Sequence, residues 1–298
     1  MTRKNNLLSI LVPAILVALG VAGYVFSQKS FDFSPKSPRE VVPTPEVPKP
    51  QEPEILPLTY LKIVTSSDQP GKEVTEVVGF ENIEAVLSLN RIDEKHFQKG
   101  MVIVYPTRYD DLFALSSFPR SIPELIDIPK ILFVAQGSQE FGAYEYGTLV
   151  RFGGISTGKK STPTPNGLSH TNWKGKEVIS TSNDEWILKW NFNIDNLGGI
   201  GIHEYELPGY PASHSCIRFS AKDAMWFYDW ADQWTLSGDG NEIIQKGTPV
   251  IVFGQYPFGE LAPWKKLAEN PYQMTLNQRH ISDVLAPYIQ ELGLNTAQ

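Results

Sequence analysis

The stretch GIHEYELPGYPASHSCIRF, from Gly201 to Phe219, surrounds a cysteine with two histidines, an arginine and a proline-containing loop. Cys216 is the single cysteine among 298 residues. A lone thiol is either a reactive group or a buried and inert one. His214 and Arg218 stand two residues on either side of it, and a nearby base or positive charge promotes the thiolate. The pattern therefore favours a nucleophilic cysteine.

Two histidines are candidates for the base that activates this thiol. His214 and Cys216 would point to the same face of an extended strand, about 7 Å apart, which is long for direct proton transfer. His203 ends the predicted strand GGIGIHEY, and the loop after it can fold the imidazole over the sulfur. The spacing favours His203 without excluding His214.

Short apolar runs separated by glycine turns continue on both sides of this stretch. Residues 130–156 alternate strand and turn signals, which predicts a β meander. Ser220 is a natural N-cap, with Asp223 three residues later, for an amphipathic helix. GTPVIVFGQ reads as a closing strand, so the sequence predicts a mainly β domain with one helix.

Three segments together resemble the catalytic domain of the L,D-transpeptidases, the YkuD-like family: TGKKSTPTPNG (157–167), the stretch 201–219, and GTPVIVF (247–253). The family combines a T-G-x-x-x-x-P-T-P-x-G turn, a strand that reaches a histidine, and an S-H-G-C-hydrophobic-R motif. The resemblance covers residues 128–254. It implies a two-sheet, β-sandwich-like fold with one capping helix.

The resemblance also implies a chemistry. Cys216 corresponds to a nucleophile that cross-links peptidoglycan stem peptides, His203 to its general base, and His214 to a site histidine near the substrate. The main-chain carbonyl of Glu204 corresponds to the group that orients the base. The family implies no cofactor and no metal, and it implies carbapenem β-lactams as inhibitors that acylate the cysteine.

Four residues are predicted to bind substrate. Arg218 suits a substrate carboxylate, although a salt bridge to a nearby Asp or Glu is an equal alternative. Ser213 either braces the loop or donates to substrate. Ser215 stands where the family has glycine, a residue used where the backbone needs a positive φ or a close approach. Gly209, in the same loop, is the fourth.

Two aromatic residues outside the motif receive different predictions. Trp173, with His170, lies between two predicted strands and is either a flap over the cleft or an ordinary surface loop. Trp186 sits on a predicted strand and is expected in the core.

Three other functions compete with transpeptidation. A zinc peptidase would use His170, His203 and Cys216 as ligands, but no H-E-x-x-H motif is present. The same thiol could pass the acyl group to water, which makes an L,D-carboxypeptidase or endopeptidase. The replacement of glycine by Ser215 also allows a non-catalytic protein that binds the cell wall.

The chain before the β domain divides into three further parts. Residues 58–106 predict a strand, a helix and a second strand, and they resemble the second half of a LysM glycan-binding module. Residues 107–127 form a connector. Residues 28–57 are rich in proline, which favours an extended polyproline linker. Residues 255–298 are predicted to be a helical extension with a helix broken near Pro287.

The N-terminal residues 1–27 predict a membrane segment. Leu7 to Phe26 is an uncharged run preceded by Arg3 and Lys4, long enough to span a bilayer core of about 30 Å. A cleaved signal peptide is the alternative. Either implies a bacterial envelope protein, anchored in the inner membrane with its head in the periplasm, or released to the wall. The net charge of −7 argues against a nucleic-acid partner.

Overall fold

The computed structural model describes residues 58–180, 183 and 185–294. The predicted membrane segment (1–27) and proline-rich linker (28–57) lie outside the described residues. Within the part of the chain that is described, we find no helix with the length and apolar character needed to cross a bilayer.

The first described region is a small α+β module in which two helices lie between two antiparallel strands. The elements are β1 (Tyr60–Val64), α1 (Pro70–Val78), α2 (Ile83–Asn90) and β2 (Val102–Pro106). The sequence predicted the strands and α2 but not α1. Pro70 starts α1, where a missing N–H costs nothing, and Val74 and Val78 bury one face of this short helix. The resemblance to a LysM module stays a prediction.

A buried ion pair joins this module to the β domain. Arg91 follows α2 with a left-handed φ of 58°, and its Nη2 lies 2.7 Å from Glu140 Oε2. The two side chains are only 2% and 0% exposed. The Arg91 Nε also donates to the carbonyl oxygen of Ser138, and the hydroxyl of Ser117 donates to Glu140. The module is therefore held by a charged contact that water does not reach.

The β domain is built on one nine-stranded sheet. Its strands are β3 (Ile131–Ala135), β4 (Glu140–Glu145), β5 (Thr148–Ser156), β6 (Gly167–His170), β7 (Lys174–Ile179), β8 (Ile187–Asp195), β9 (Ile200–Glu204), β10 (Ile217–Phe219) and β13 (Pro249–Phe253). A separate hairpin contains β11 (Thr235–Leu236) and β12 (Ile243–Gln245). The order in the large sheet is β6-β13-β3-β4-β5-β10-β9-β8-β7. The mainly β prediction is confirmed, and the two predicted sheets are two halves of this sheet that share β5.

The sheet curls until its two edges meet. The edge strands β6 and β7 are consecutive in the chain, with only Thr171 to Trp173 between them. The Thr171 N–H donates to Thr248 beside β13, while the Asn172 N–H donates to Asn193 of β8 at 2.8 Å. The curl encloses an apolar core in which the ring of Phe141 stacks on that of Phe219 with centroids 4.3 Å apart.

One helix closes this core, as the sequence predicted. Helix α3 (Ala221–Trp230) begins after Ser220, whose hydroxyl accepts from the Asp223 N–H as an N-cap. Phe227 is buried among the strands. At the C-terminal end, α4 (Gln278–Leu285) stops before Pro287, which confirms the predicted break.

Candidate active site

The site is built where β9 and β10 run parallel. His203 pairs with Arg218, and Ile202 pairs with Ile217. Since side chains alternate along strands and the two isoleucines enter the core, His203 and Arg218 face the opposite side. Cys216 directly precedes β10 and shares the parity of Arg218. These three residues line one cleft with a cavity volume of about 110 Å³.

The sulfur of Cys216 is half-buried. The thiol donates a weak hydrogen bond to the carbonyl oxygen of Gly199, at 3.9 Å. Burial raises the pKa of the thiol, and the main-chain contact of Gly201 and the charge of Arg218 oppose that rise. Burial prevails, so the resting group at neutral pH is the thiol.

His203 is buried, with 4% of its surface exposed. Its Nδ1 lies 2.9 Å from the carbonyl oxygen of Glu204. A carbonyl only accepts, so Nδ1 carries the proton and the lone pair of Nε2 remains available. Burial lowers the pKa of this imidazole to about 4, against the opposing effect of the Glu204 bond and with a further lowering by Arg218. The ring is therefore neutral at pH 7.

His214 occupies a different environment. It is exposed, and its Nε2 lies 2.8 Å from the Nζ of Lys159. The ring of Trp186 packs beside it, with centroids 5.0 Å apart. Partial desolvation lowers the pKa of His214, and the positive charges of Lys159 and Arg218 lower it further.

The proline-containing turn of residues 157–167 supports the cysteine loop from outside. Gly158 forms a parallel bridge with Ser213, and the Lys159 N–H donates to the Ser213 carbonyl at 3.0 Å. The Thr164 hydroxyl donates to the Ser215 carbonyl at 2.8 Å. A side chain at Gly158 would meet the carbonyl oxygen of Thr162 at 2.2 Å, so this close approach requires glycine. The turn and the cysteine loop form one unit.

The two serines of the loop have structural contacts. Ser213 is buried, and its hydroxyl donates to the carbonyl oxygen of Cys216. Ser215 adopts a φ of +89°, a conformation that ordinarily favours glycine. Its hydroxyl donates to the carbonyl of Thr162 at 3.3 Å. Neither contact reveals a role towards substrate, so that role stays a prediction.

Gly209 does not line the cleft. It turns the loop with a φ of +84°, and a side chain there would meet Ile92 of the small module at 3.0 Å. The neighbouring Pro208 pairs with Ile92 across the same contact. Gly209 therefore permits close packing against the module, and its predicted role towards substrate stays a prediction.

Arg218 reaches main-chain groups and an aromatic ring. Its Nη2 donates to the Ala212 carbonyl at 3.2 Å, and its Nη1 donates to the Glu206 carbonyl at 3.4 Å. The guanidinium lies 4.4 Å from the centre of the Tyr205 ring. Among the described residues it forms no ion pair, so the predicted alternative of a salt bridge to Asp or Glu is not observed there.

A family model for the YkuD L,D-transpeptidase catalytic domain matches residues 129–252. The match covers less than half of the chain. No curated protein sequence matches the chain.

Solved structures resemble part of this chain at low identity. An L,D-transpeptidase from Stackebrandtia nassauensis is 22% identical, with 43% of this chain and 57% of that chain covered and a TM-score of 0.35. One from Mycobacterium smegmatis is 22% identical, with 42% and 59% covered and a TM-score of 0.34. An L,D-transpeptidase in complex with imipenem is 20% identical, with 42% and 59% covered and a TM-score of 0.34. The chain thus spans less than two thirds of the length of each.

Sequence reasoning missed part of the cleft wall. Trp186, expected in the core, instead lines the cleft against His214. Trp173, for which a flap over the cleft was one of two predictions, also lines the cleft, with its Nε1 donating to Asn196 at 3.0 Å. Trp173 directly precedes β7, and Trp186 lies in the connection between β7 and β8. Lys159 carried no prediction because its partner is 55 residues away.

Proposed function

We propose that this protein is an L,D-transpeptidase, a cysteine acyltransferase that cross-links peptidoglycan stem peptides through a thioester on Cys216. The observation that carries the proposal is the placement of Cys216 and His203 on one face of β9 and β10, inside one cleft of the region that matches the YkuD family model. A thiol next to a neutral imidazole with an available lone pair is the arrangement that nucleophilic acyl transfer needs.

The first half-reaction forms the thioester. His203 Nε2 takes the thiol proton as the sulfur attacks the carbonyl between an L-centre and the terminal D-residue of a stem tetrapeptide. The C–N bond then breaks, and the leaving amine takes the proton back from Nε2. The Nδ1 of His203 keeps its proton throughout and donates it in a hydrogen bond to the Glu204 carbonyl, which holds the ring in one orientation.

The second half-reaction restores the enzyme. An amine of a second stem peptide attacks the thioester carbonyl, His203 accepts its proton, and the thiol is released with that proton. We assign the oxyanion of both steps to the main-chain N–H groups of His214 to Cys216. Ser213 stabilises this short segment, since its hydroxyl bonds the Cys216 carbonyl.

The charge of the cleft suits a substrate that ends in a carboxylate. Its described lining residues include Arg218 and two histidines, and no Asp or Glu. The Arg218 side chain is half-buried against main-chain oxygens that carry no full charge. We assign it to the carboxylate of the donor stem peptide, which a guanidinium binds with two parallel hydrogen bonds.

The test is to incubate the full-length chain with a stem tetrapeptide and to follow the products by mass spectrometry. Cross-linked dimers with release of the terminal D-residue support transfer. Tripeptides without dimers would replace the proposal by an L,D-carboxypeptidase. An unchanged substrate would support a non-catalytic wall protein. Cys216→Ala, which removes only the sulfur, is expected to abolish both products, and a chelator is expected to leave them unchanged.

Acylation by a carbapenem provides a second test of the thiol. The Cys216 sulfur attacks the strained lactam carbonyl, and the ring C–N bond breaks. The nitrogen stays attached to the ring-opened product, so no fragment leaves. The intact protein should gain the mass of one carbapenem, and Cys216→Ala should gain none.

The site of action follows from the same proposal. Peptidoglycan lies in the cell envelope, and the apolar run of residues 1–27 suits an inner-membrane anchor there. Membrane fractionation with alkaline extraction tests this assignment. A protein that is released by alkali while retaining residues 1–27 would contradict the anchor and leave the enzymatic proposal intact.

A further inference from the structure

Lys159 is fixed to the cysteine loop by both its main chain and its side chain. Its N–H donates to the Ser213 carbonyl at 3.0 Å, and its Nζ lies 2.8 Å from His214 Nε2. The preceding Gly158 is bridged to Ser213 as well. The Lys159 ammonium therefore contacts the imidazole from a backbone that is itself hydrogen-bonded to the cysteine loop.

The chemistry of this contact determines the tautomer of His214. A lysine ammonium has three donors and no acceptor, so Nε2 must offer its lone pair. The ring proton is then on Nδ1, and the ring is neutral. Protonation of the ring is opposed by burial and by the positive charges of Lys159 and Arg218, which lower the pKa of His214. The ring of Trp186 packs beside the imidazole, with centroids 5.0 Å apart.

The two histidines of the cleft thus use different ring nitrogens for their hydrogen bonds within the protein. In His203 the Nδ1–H donates to the Glu204 carbonyl, and the available nitrogen, Nε2, is an acceptor. In His214 Lys159 occupies the Nε2 lone pair, and the available nitrogen, Nδ1, is a donor. One imidazole can accept a proton, and the other can only give a hydrogen bond.

We propose that Lys159 is a positioning residue that fixes His214 as the neutral Nδ1–H tautomer, so that His214 donates a hydrogen bond to a substrate oxygen in the cleft. The identity of that substrate rests on the proposed function, which this inference deepens by separating the roles of the two histidines. The tautomer itself is a property of the free protein and does not depend on turnover.

The test combines nitrogen-15 NMR of the full-length chain labelled at histidine with steady-state kinetics. We expect the wild-type His214 spectrum to show a protonated Nδ1 and an unprotonated Nε2 at neutral pH. In Lys159→Met, Nε2 becomes protonated in part of the molecules and the pKa of His214 rises, because the lone pair is no longer held and a nearby positive charge is gone.

Kinetics add a readout for the role towards substrate. We expect Lys159→Met to lower kcat/KM for the stem tetrapeptide about tenfold, the usual scale for a hydrogen bond that involves a charged group. Lys159→Arg retains a cationic donor and should keep most of the activity. The matched control is Lys160→Met, which removes the same charge from the exposed neighbouring residue and should leave both readouts unchanged.

Two results would overturn the inference. One is a wild-type His214 with its proton on Nε2, which needs no variant and no active enzyme. The other is a Lys159→Met spectrum identical to that of the wild type. A protein that shows the expected tautomer but no turnover would instead contradict the proposed function.

Discussion

The Nδ1 of His203 and the carbonyl oxygen of Glu204, the next residue on β9, lie 2.9 Å apart. The bond joins neighbours on one strand, so it survives any movement of the loops around the cleft. It stabilises the protonated ring, yet burial outweighs it and leaves the pKa of His203 at about 4. A base of this kind is weak but remains unprotonated over most of the pH range.

The decrease of kcat/KM at acid pH should follow the lowered pKa of His203. As pH falls, we expect kcat/KM to stay level down to about pH 5 and to decrease by half near pH 4, because only neutral His203 accepts the thiol proton. Rates measured with a stem tetrapeptide from pH 3 to 8 give this decrease. A midpoint near the ordinary histidine value of 6.5 would contradict the assignment of His203 as base.

Stability should depend on pH through the same residue. The unfolded chain binds a proton at His203 below its ordinary pKa of 6.5, while the folded chain binds it only near 4. Stability is therefore lost as pH falls through this window, by about 3 kcal/mol in total. Urea unfolding of the wild type and of His203→Gln should show a smaller acid-induced loss in the variant, and equal losses would show that His203 is not buried as a neutral ring.

The reactivity of Cys216 should increase up to high pH. Burial raises the pKa of the thiol above its usual value of 9.0, so alkylation by iodoacetamide should accelerate through pH 9 without reaching a plateau below it. Arg218→Met should slow alkylation at pH 8, because the lost cation favoured the thiolate. Lys222→Met, an exposed change on α3, is the control. A plateau near pH 7 would indicate a preformed thiolate.

Replacing Ser215 by glycine should stabilise the protein. A φ of +89° strains a serine, and relief of such strain is worth about 1 kcal/mol beyond the weak hydroxyl bond that is lost. We expect the Tm to rise by about 2–4 °C. Ser220→Gly tests the same chemical change at a φ of −60° and should destabilise slightly. A lower Tm for Ser215→Gly would show that the hydroxyl outweighs the strain.

The ion pair between Arg91 and Glu140 should be essential for stability. Arg91→Met leaves Glu140 charged and buried without its partner, which costs about 3–5 kcal/mol. The double variant Arg91→Met with Glu140→Gln should recover part of this loss. Lys222→Met removes the exposed salt bridge to Glu84 between α3 and the module and should change the free energy of unfolding little. If Arg91→Met and Lys222→Met lowered the free energy of unfolding equally, the description of Arg91 and Glu140 as a buried, coupled pair would be contradicted.

Much of the fold could be predicted from residue patterns. Alternation of apolar residues and glycine turns identified the strands, and Ser220 with Asp223 identified the start of α3. Helix α1 was missed because nine residues with two buried valines give a weak periodic signal. The closure of the sheet between β6 and β7 was also out of reach, since it depends on pairing among distant strands.

The sequence by itself determined which chemical groups this protein has near its cysteine and which turn supports them. Those features are local: a thiol, a strand that carries His203, and glycines where the backbone must turn or approach closely. Only the tertiary structure decided which nitrogen of each imidazole is available, that Trp186 lines the cleft, that Lys159 contacts His214, and that Gly209 packs on the module. The physical reason is that each of these depends on a contact between residues far apart in the chain, and a hydrogen bond or a packed surface exists only once folding brings its two sides within a few ångströms.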